Sequence, residues 1–351
     1  MKKLVYFERW VAPIAGEILG TQPDIDIVRM ECASEARNWQ ALGAAHGYQA
    51  LTRPESKKAP RGEQWLPDSN LLERSPKLLA VCVAGAGADV VDIDACTRAG
   101  VIVCNQSGSG RESVAEHALA MILALSKRIG VADRVMRREL GYTQLTFQGN
   151  DVFGKTLGVI GFGQIGSRLA EMCRAALGMT ILAHDPYLDA AQIAARGGTK
   201  VTLDELLERS DFVSLNGPLT DETRGMLGRA QFTRMKRGAF FVTTSRGGVH
   251  DEDALVEALA SGHLGGAGID VFVQEPPPLD HPLFRFDNVI ATPHTAGITV
   301  EGAQSIAEAT AKQWIEIFRG AVPPRLLNPA AWPRYSERFE KILGARPAAL
   351  V

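Results

Sequence analysis

Several features that would direct a chain to nucleic acid, to a membrane or to an oxidising compartment are scarce in this sequence. Lys and Arg number 38 against 40 Asp and Glu, so the formal net charge is −2 and no broadly cationic surface is expected. Aromatic residues make up only 7%, too few for the stacking platforms of a single-strand binder. We therefore expect no nucleic-acid partner.

Long apolar runs are also missing. The first run, Leu4 to Phe7, is broken by Glu8, which leaves it too short for the core of a signal peptide. No stretch approaches the roughly 20 apolar residues of a membrane helix. The five cysteines have no CxxC spacing and lie mostly in apolar runs, which favours buried thiols in a reducing compartment. We expect a cytoplasmic protein with no membrane partner and no metal centre.

The pattern of apolar runs predicts two α/β domains within the 351 residues. From residue 151 onward, apolar strands alternate with helical patterns, which predicts a doubly wound parallel sheet. Earlier, residues 78–85 and 101–105 are predicted buried strands, and residues 53–76 are predicted to be mostly loop. Ser113 and Glu116 predict an N-cap box that opens a long helix over 113–129.

The N-terminal part has too few elements for a rich core of its own. We therefore expect the helix at 301–319 to cross back and cover it. The predicted fold class is α/β with two doubly wound domains, one flavodoxin-like and one Rossmann. The first domain takes residues 1–106 and 297–351, and the Rossmann domain takes residues 107–296.

A dinucleotide site is predicted in the stretch VIGFGQIG, which carries Gly161, Gly163 and Gly166 between a predicted strand and a predicted helix. In this context the glycines allow a tight turn, the approach of a pyrophosphate and helix–strand packing, and the helix N-terminus offers N–H groups to phosphates. Asp185 follows the next strand, where a carboxylate binds ribose hydroxyls and repels a 2′-phosphate. We predict NAD as cofactor; the alternative is that the glycines serve packing alone.

Three polar residues follow predicted strands in the second half of the chain. Arg246 lies in TTSRGG, Glu275 in DVFVQEPP and His294 in IATPHTAG. Ligands of open α/β sheets bind at the carboxyl ends of the strands. Taken alone, Arg246 is more typical of a solvated turn and Glu275 of a loop charge, and His294 is equally typical of a structural role. Together, and beside a dinucleotide fold, they predict a catalytic set.

At this point the sequence resembles a known family, the NAD-dependent D-2-hydroxyacid dehydrogenases. The matching stretches span most of residues 78–300 and include GAGADVVDIDACTRAGVIVCN, SVAEHALAMILAL, GKTLGVIGFGQIG, SRGGVHDEDALVEAL, GAGIDVFVQEPP and NVIATPHTAG. The resemblance implies that Arg246, Glu275 and His294 are catalytic, that the first domain binds substrate, and that the active site lies in the cleft between the domains. It also implies a homodimer that uses the helix region 113–129.

The resemblance implies further binding residues. Asp270 is expected at the nicotinamide end of the cofactor. The other cofactor-lining positions are expected to be Gln164, Ile165, Pro218, Thr223, Thr244, Ser245 and Gly297. The backbone N–H groups of Ala84, Gly85, Ala86 and Gly87 are expected to hold the substrate carboxylate. Arg53 is either another substrate contact or a solvated loop arginine.

The expected reaction is hydride transfer between NAD(H) and a small 2-hydroxy or 2-keto acid of the glyoxylate or hydroxypyruvate type. His294 would exchange the proton, because an ordinary histidine pKa of about 6.5 lies close to working pH. Glu275 would fix the ring tautomer. Arg246 would offer a planar fork of donors to the substrate carboxylate and carbonyl oxygen.

Other functions stay open. Phosphoglycerate-using relatives often carry an arginine where Val83 stands, which weakens that alternative without removing it. Formate-using relatives pair the histidine with glutamine, so Glu275 argues against formate but not against phosphite. A NAD-sensing, corepressor-like binding protein would share the same fold and the same three residues.

Overall fold

Parallel strands buried on both faces organise the residues that the computed structural model describes, which are 1–31, 34–50 and 65–350. These residues divide into two units. The terminal unit consists of Met1–Gly110 and Val300–Val351, and the central unit of Arg111–Thr299. The boundaries expected from the sequence, after residue 106 and before residue 297, lie four and three residues away from this division.

The terminal unit is built on a five-stranded parallel sheet of order β2-β1-β3-β4-β5, which is the flavodoxin-like order. Its strands are β1 (Lys2–Phe7), β2 (Ile25–Met30), β3 (Gly47–Ala50), β4 (Ala80–Val83) and β5 (Ile102–Cys104). Its first helices are α1 (Ile14–Gly20), α2 (Glu35–Gly43), α3 (Ser69–Glu73) and α4 (Ile93–Ala99). The residues of β3, β4 and β5 are all buried, as continuous apolar runs in a parallel sheet require.

Helix α3 lies in residues 65–76, the described part of the stretch 53–76 that the sequence predicts to be mostly loop. Asp68 caps this helix, because its carboxylate accepts a hydrogen bond of 2.9 Å from the Leu71 N–H. The side chain of Leu71 is buried in the terminal unit. This Pro-rich, polar stretch therefore contains one short capped helix.

The central unit is built on a seven-stranded parallel sheet of order β12-β11-β10-β9-β6-β7-β8. Its strands are β6 (Thr156–Ile160), β7 (Thr180–His184), β8 (Thr199–Lys200), β9 (Phe212–Leu215), β10 (Phe240–Thr243), β11 (Gly266–Ile269) and β12 (Val289–Ala291). Its helices are α5 (Arg111–Ser126), α6 (Ile129–Met136), α7 (Gln164–Leu177), α8 (Ala190–Ala195), α9 (Leu203–Arg209), α10 (Arg229–Arg234) and α11 (Glu252–Ala260). The order reverses between β6 and β9, which makes this the switch point of a Rossmann sheet. The predicted fold class is confirmed.

The predicted helix over 113–129 is wrong at both ends. Helix α5 begins at Arg111, so Ser113 lies inside the first turn, and its hydroxyl lies 2.8 Å from the Thr299 hydroxyl instead of capping the helix. The helix ends at Ser126, and Arg128 adopts a left-handed backbone with φ of +55° before α6 starts. A left-handed residue cannot continue a right-handed helix, which explains the break.

The C-terminal part of the chain returns to the terminal unit as α12 (Val300–Phe318) and α13 (Trp332–Leu343). The Trp314 indole N–H donates to the Gln49 side-chain oxygen at 2.8 Å, and the ring lies so close to β3 that a Cβ at Gly47 would be 2.5 Å from it. Trp314 and Phe318 belong to the same buried cluster as Leu4. The expectation that this helix covers the N-terminal sheet is confirmed.

The described cysteines are free and buried. Burial raises the pKa of the Cys96 and Cys173 thiols to about 12, so both stay protonated at neutral pH. Cys82 and Cys104 lie side by side on β4 and β5, and burial again raises the pKa of Cys82. None of the helices within the described ranges combines the length and the apolar character needed to cross a membrane.

His250 is a buried histidine in the core of the central unit. Its ring packs against Phe241 at a centroid distance of 5.5 Å, and within the described residues neither ring nitrogen has a hydrogen-bond partner. Burial lowers the pKa of His250 to about 4, since the charged ring would lose its hydration. The folded protein therefore holds this ring neutral.

We expect His250 to make the protein less stable in mild acid. Between pH 6.5 and pH 4 the unfolded chain binds a proton at this ring that the folded chain does not, so the free energy of unfolding falls as the pH falls. The contribution lost by pH 5 is about 2 kcal/mol. Denaturant unfolding at pH 7.5 and pH 5 measures how much free energy of unfolding each protein loses in acid. The loss should be smaller by that amount in His250→Leu than in the wild type, and equal losses would contradict the prediction.

Candidate active site

The glycine loop of the central unit lies at the switch point of its sheet. Gly161 directly follows β6 with φ of +83°, and a Cβ there would be 2.7 Å from the Gly217 nitrogen in the loop that follows β9. A Cβ at Gly166 would collide with the Gly161 carbonyl oxygen. By contrast, no described atom lies within 4 Å of a Cβ added at Gly163. Two glycines are thus required by the fold, and the third leaves open space.

The N-terminus of α7 adjoins this open space. Gln164 and Ile165 are the first residues of the helix, and among the described residues no side chain caps it. The first N–H groups of a helix have no partner within the helix, and they carry the positive end of its dipole. The open cradle at Gly163 therefore fits a phosphate-bearing cofactor.

The Asp185 carboxylate is fixed beside the same loop. Asp185 follows β7, and one carboxylate oxygen accepts the Phe162 N–H at 2.9 Å while the other accepts the Tyr187 N–H at 3.0 Å. Each oxygen keeps a second lone pair, and the residue is half-buried. The carboxylate is thus held still with acceptor capacity left over.

The loop after β9 forms the other wall of the switch point. It starts against β6, because the Asn216 N–H donates to the Ile160 carbonyl at 2.8 Å. Thr223 closes the loop by donating from its hydroxyl to the Pro218 carbonyl at 2.6 Å. The Ser245 hydroxyl, from the loop after β10, donates to the Gly217 carbonyl.

Two buried polar atoms at this end of the sheet lack a partner. Within the described residues, the Thr244 hydroxyl and the Asn216 side-chain oxygen make no hydrogen bond. An unsatisfied buried polar atom is costly, and its presence at a site often marks where a ligand or water completes the bonding. The donors and acceptors present here fit a polar cofactor.

Three neighbouring strands carry the predicted catalytic side chains. Arg246 follows β10, Glu275 follows β11 and His294 follows β12, and these strands are adjacent in the sheet. His294 Nδ1 lies 3.0 Å from one Glu275 carboxylate oxygen and 3.2 Å from the other. Glu275 also accepts the Phe272 N–H at 2.9 Å, which fixes the carboxylate. The structure thus builds an oriented carboxylate–imidazole pair.

The loop that carries Arg246 crosses the loop that carries Glu275 at van der Waals distance. Gly247 lies against the Phe272–Val273 peptide so closely that a Cβ would collide with the Phe272 carbonyl oxygen. The guanidinium of Arg246 is half-buried and donates to the Ser245 carbonyl at 2.7 Å. Only glycine at position 247 allows this crossing.

The backbone at His294 has a left-handed conformation with φ of +56°, which is unfavourable for a residue with a side chain. Asp270 holds it in place. The Asp270 carbonyl accepts the His294 N–H at 2.8 Å, and the carboxylate accepts the N–H groups of Thr295 at 2.8 Å and Ala296 at 3.0 Å. Asp270 was expected only at the nicotinamide end. Its bonds to the His294 loop are a role that the sequence did not indicate.

Glu252 performs a similar task for the Glu275 loop. One of its carboxylate oxygens accepts the Val273 N–H at 2.8 Å, and the other lies 3.3 Å from His281 Nε2. Sequence reasoning missed Glu252, since an acidic residue at the start of a helix has an ordinary explanation in the helix dipole. Gly297, expected to line the cofactor, follows the His294 loop and lies beside Val114 of α5.

The predicted carboxylate-binding loop of the terminal unit follows β4 and is braced by its neighbour β5. The Asn105 side-chain amide donates to the Ala86 carbonyl at 2.7 Å, and the Gln106 N–H donates to the Gly85 carbonyl at 2.8 Å. Ala84, Gly85 and Gly87 are half-buried and Ala86 is exposed. The carbonyls of Gly85 and Ala86 are thereby bonded within the protein. Arg53 lies outside the described residues.

Comparison with known proteins identifies the family. The profile of the D-isomer specific 2-hydroxyacid dehydrogenase, NAD binding domain, matches residues 119–296. The chain is 40% identical over 264 residues to the glyoxylate reductase of Korarchaeum cryptofilum, covering 74% of this chain and 79% of the relative. It is 41% identical over 261 residues to the D-3-phosphoglycerate dehydrogenase of Mycobacterium tuberculosis, of which it spans 49%.

A solved structure agrees with these relatives. The D-lactate dehydrogenase of Aquifex aeolicus, in complex with NAD and lactic acid, superimposes with a TM-score of 0.74 at 30% identity, covering 90% of this chain and 96% of that one. The chain therefore belongs to the D-isomer specific 2-hydroxyacid dehydrogenases. It is an NAD-dependent oxidoreductase of 2-hydroxy acids.

We expect Gly247→Ala to lower kcat by more than its effect on thermal stability explains. The added methyl must push the Arg246 loop away from the Phe272–Val273 peptide, and a displacement of about 1 Å at a reacting group lowers kcat by roughly 100-fold. Steady-state kinetics and thermal unfolding should be measured together. Gly228→Ala is the control, because the nearest atom to its Cβ is 3.7 Å away. Equal kinetics in both variants would contradict the prediction.

Proposed function

We propose that this protein transfers a hydride between NAD(H) and a small 2-hydroxy or 2-keto acid of the glyoxylate or hydroxypyruvate type. The observation that carries the proposal is the pair formed by Glu275 and His294, with Nδ1 3.0 Å from the carboxylate. The neighbouring strand end that carries Arg246 supplies a cation for a carboxylate substrate. Imidazole, carboxylate and guanidinium are the groups that this reaction requires.

His294 serves as the acid–base. Because Glu275 accepts a hydrogen bond from Nδ1–H, the neutral ring is the Nδ1–H tautomer, and Nε2 is the nitrogen that exchanges a proton with the substrate oxygen. In the direction of oxidation, Nε2 takes the hydroxyl proton. In the direction of reduction, the imidazolium returns a proton to the developing alkoxide while the Glu275 carboxylate balances its charge.

Arg246 binds and polarises the substrate. Its planar guanidinium offers several N–H donors to the substrate carboxylate and to the carbonyl oxygen on which charge develops. Lysine would supply a single charged point without this geometry. We assign the N–H groups of residues 84–87 to the binding of a substrate carboxylate, a role that the braced carbonyls of Gly85 and Ala86 support.

The cofactor-holding residues follow from the cradle already described. The nicotinamide ring, when bound, supplies or accepts the hydride. The N–H groups of Gln164 and Ile165 bind the pyrophosphate, and Asp185 accepts the ribose hydroxyls. We assign the lining of the remaining cofactor surface to Pro218, Thr223, Thr244, Ser245, Asp270 and Gly297. The unpartnered hydroxyl of Thr244 supports this assignment.

Phosphoglycerate is the second candidate substrate, because six relatives of similar sequence are named D-3-phosphoglycerate dehydrogenase. Val83 is fully buried in β4, so its position offers no cation to a phosphate. We therefore rank the small 2-keto acids first. Phosphite oxidation and a NAD-sensing binding role are outcomes that the same assays distinguish.

We also propose that the protein works as a homodimer in the cytoplasm. Much of the apolar surface of α5 packs within the central unit, where Met121, Ile122 and Leu125 are buried. Several exposed apolar side chains lie on α6 and in the segment after it, where Leu140 and Leu145 are 99% and 81% exposed. A second copy of this chain would cover them, which extends the expected contact from 113–129 toward residue 153. The free, buried cysteines support the reducing location.

We expect the wild-type protein to oxidise NADH with glyoxylate or hydroxypyruvate in a panel that also contains pyruvate, phosphohydroxypyruvate and bulkier 2-keto acids. His294→Ala should lower kcat by roughly 10²- to 10⁴-fold while NADH still binds, because the proton donor is lost and the cradle remains. Steady-state kinetics and NADH fluorescence titration check both statements. If NADH binds but the protein turns over neither the 2-keto acids with NADH nor phosphite with NAD, the binding role is favoured instead.

We expect Leu140→Asp combined with Leu145→Asp to give a monomer. Wild-type protein should elute with twice the 37.8 kDa of one chain in light scattering, and the variant with that mass once, because two buried carboxylates oppose association. Both positions are exposed in the single chain, so the substitutions should leave the thermal stability of the monomer's own fold unchanged. Lys155→Asp, outside this segment, serves as control. A wild-type monomer would contradict the proposal.

A further inference from the structure

His117 of α5 approaches the group that holds the catalytic histidine loop. Its Nε2 lies 3.1 Å from the Thr292 hydroxyl oxygen and 3.9 Å from a carboxylate oxygen of Asp270. The Thr292 hydroxyl in turn lies 2.6 Å from the same oxygen of Asp270. Neither His117 nor Thr292 has a role in the reaction described above.

Helix α5 is packed so closely on β11 that this approach is fixed. A Cβ at Gly268 would be 2.9 Å from the Met121 sulfur, so Met121 lies directly on the strand. His117 is one helical turn before Met121 and therefore faces the same way. Its ring points along β11 toward the strand end, where Asp270 begins the loop.

The direction of the hydrogen bonds follows from the number of protons. A hydroxyl has one proton, and the ionised Asp270 carboxylate can only accept, so Thr292 donates to Asp270. The Thr292 oxygen must then accept from His117, which requires a proton on Nε2 of that ring. The order is His117 to Thr292 to Asp270.

The chain of bonds ends at the catalytic loop. Asp270 is 1% exposed and accepts the N–H groups of Thr295 and Ala296, and its carbonyl accepts that of His294. These bonds oppose the unfavourable left-handed backbone at His294. A donor that fixes Thr292 therefore fixes the carboxylate on which the loop depends.

We propose that His117 is a positioning residue that holds the His294 loop through Thr292 and Asp270. It acts as a hydrogen-bond donor from Nε2 and does not touch substrate. The effect on turnover rests on the proposed function, whereas the effect on the loop does not. If the ring only filled space on α5, any side chain of similar bulk would serve equally well.

Four substitutions separate these readings. His117→Leu keeps bulk and removes the donor. His117→Gln places an amide N–H near the position of Nε2, whereas the shorter His117→Asn places it near Nδ1 and is the matched control. Thr292→Val removes the receiving hydroxyl, and combining it with His117→Leu shows whether the two residues act in one chain.

The first measurement is amide hydrogen exchange of residues 292–297, followed by mass spectrometry without substrate. Exchange should become faster in His117→Leu and His117→Asn, and return toward the wild-type rate in His117→Gln. The double variant should exchange no faster than the faster single variant. Unchanged exchange in His117→Leu, equal exchange in all three His117 variants, or additive effects in the double variant would overturn the proposal.

The second measurement is turnover. With NADH and the best 2-keto acid, kcat should fall by roughly 10-fold in His117→Leu, with the substrate KM and the NADH Kd within about two-fold of wild type, and His117→Gln should restore most of it. A higher KM or a higher Kd without a loss of kcat would contradict a positioning role. A wild-type protein that turns over no substrate would refute the proposed function, and the exchange experiment would still decide the role of His117.

Discussion

The contact between Glu275 and His294 is the interaction on which the proposed chemistry depends. In this proposal it selects one tautomer of the ring, directs one nitrogen toward the reaction and supplies the countercharge for the imidazolium. Much of the surrounding structure serves this pair. Phe272 fixes the carboxylate through its N–H, and Asp270 holds the strained backbone of the histidine.

The topology of the sheet explains why residues far apart in the chain share one site. Parallel strands with crossover helices bring their carboxyl ends to one edge, and β10, β11 and β12 are neighbours there. Arg246, Glu275 and His294 therefore follow adjacent strands although 48 positions separate the first from the last. The glycine loop occupies the same edge at the switch point, so the proposed cofactor-binding and acid–base residues belong to one sheet.

The sequence predicted what local patterns encode. The glycine loop of Gly161, Gly163 and Gly166 was predictable because strand, turn and helix follow one another along the chain. The positions of Arg246, Glu275 and His294 after strands were predictable for the same reason. The bonds of Asp270, Asn105 and His117 join residues from different loops and helices, and no spacing along the chain indicates them. The cap predicted at Ser113 failed because the helix starts two residues earlier and Thr299 engages the hydroxyl.

The tautomer of His294 tests the central claim most directly. Nitrogen NMR of protein labelled at its histidine rings, with His294→Asn to assign the signal, distinguishes a protonated Nδ1 from a protonated Nε2 when the ring is neutral. We predict a protonated Nδ1 and an unprotonated Nε2, and a change in Glu275→Gln, where the acceptor carboxylate is lost. A neutral ring protonated on Nε2, or a signal unaffected by Glu275→Gln, would contradict the account.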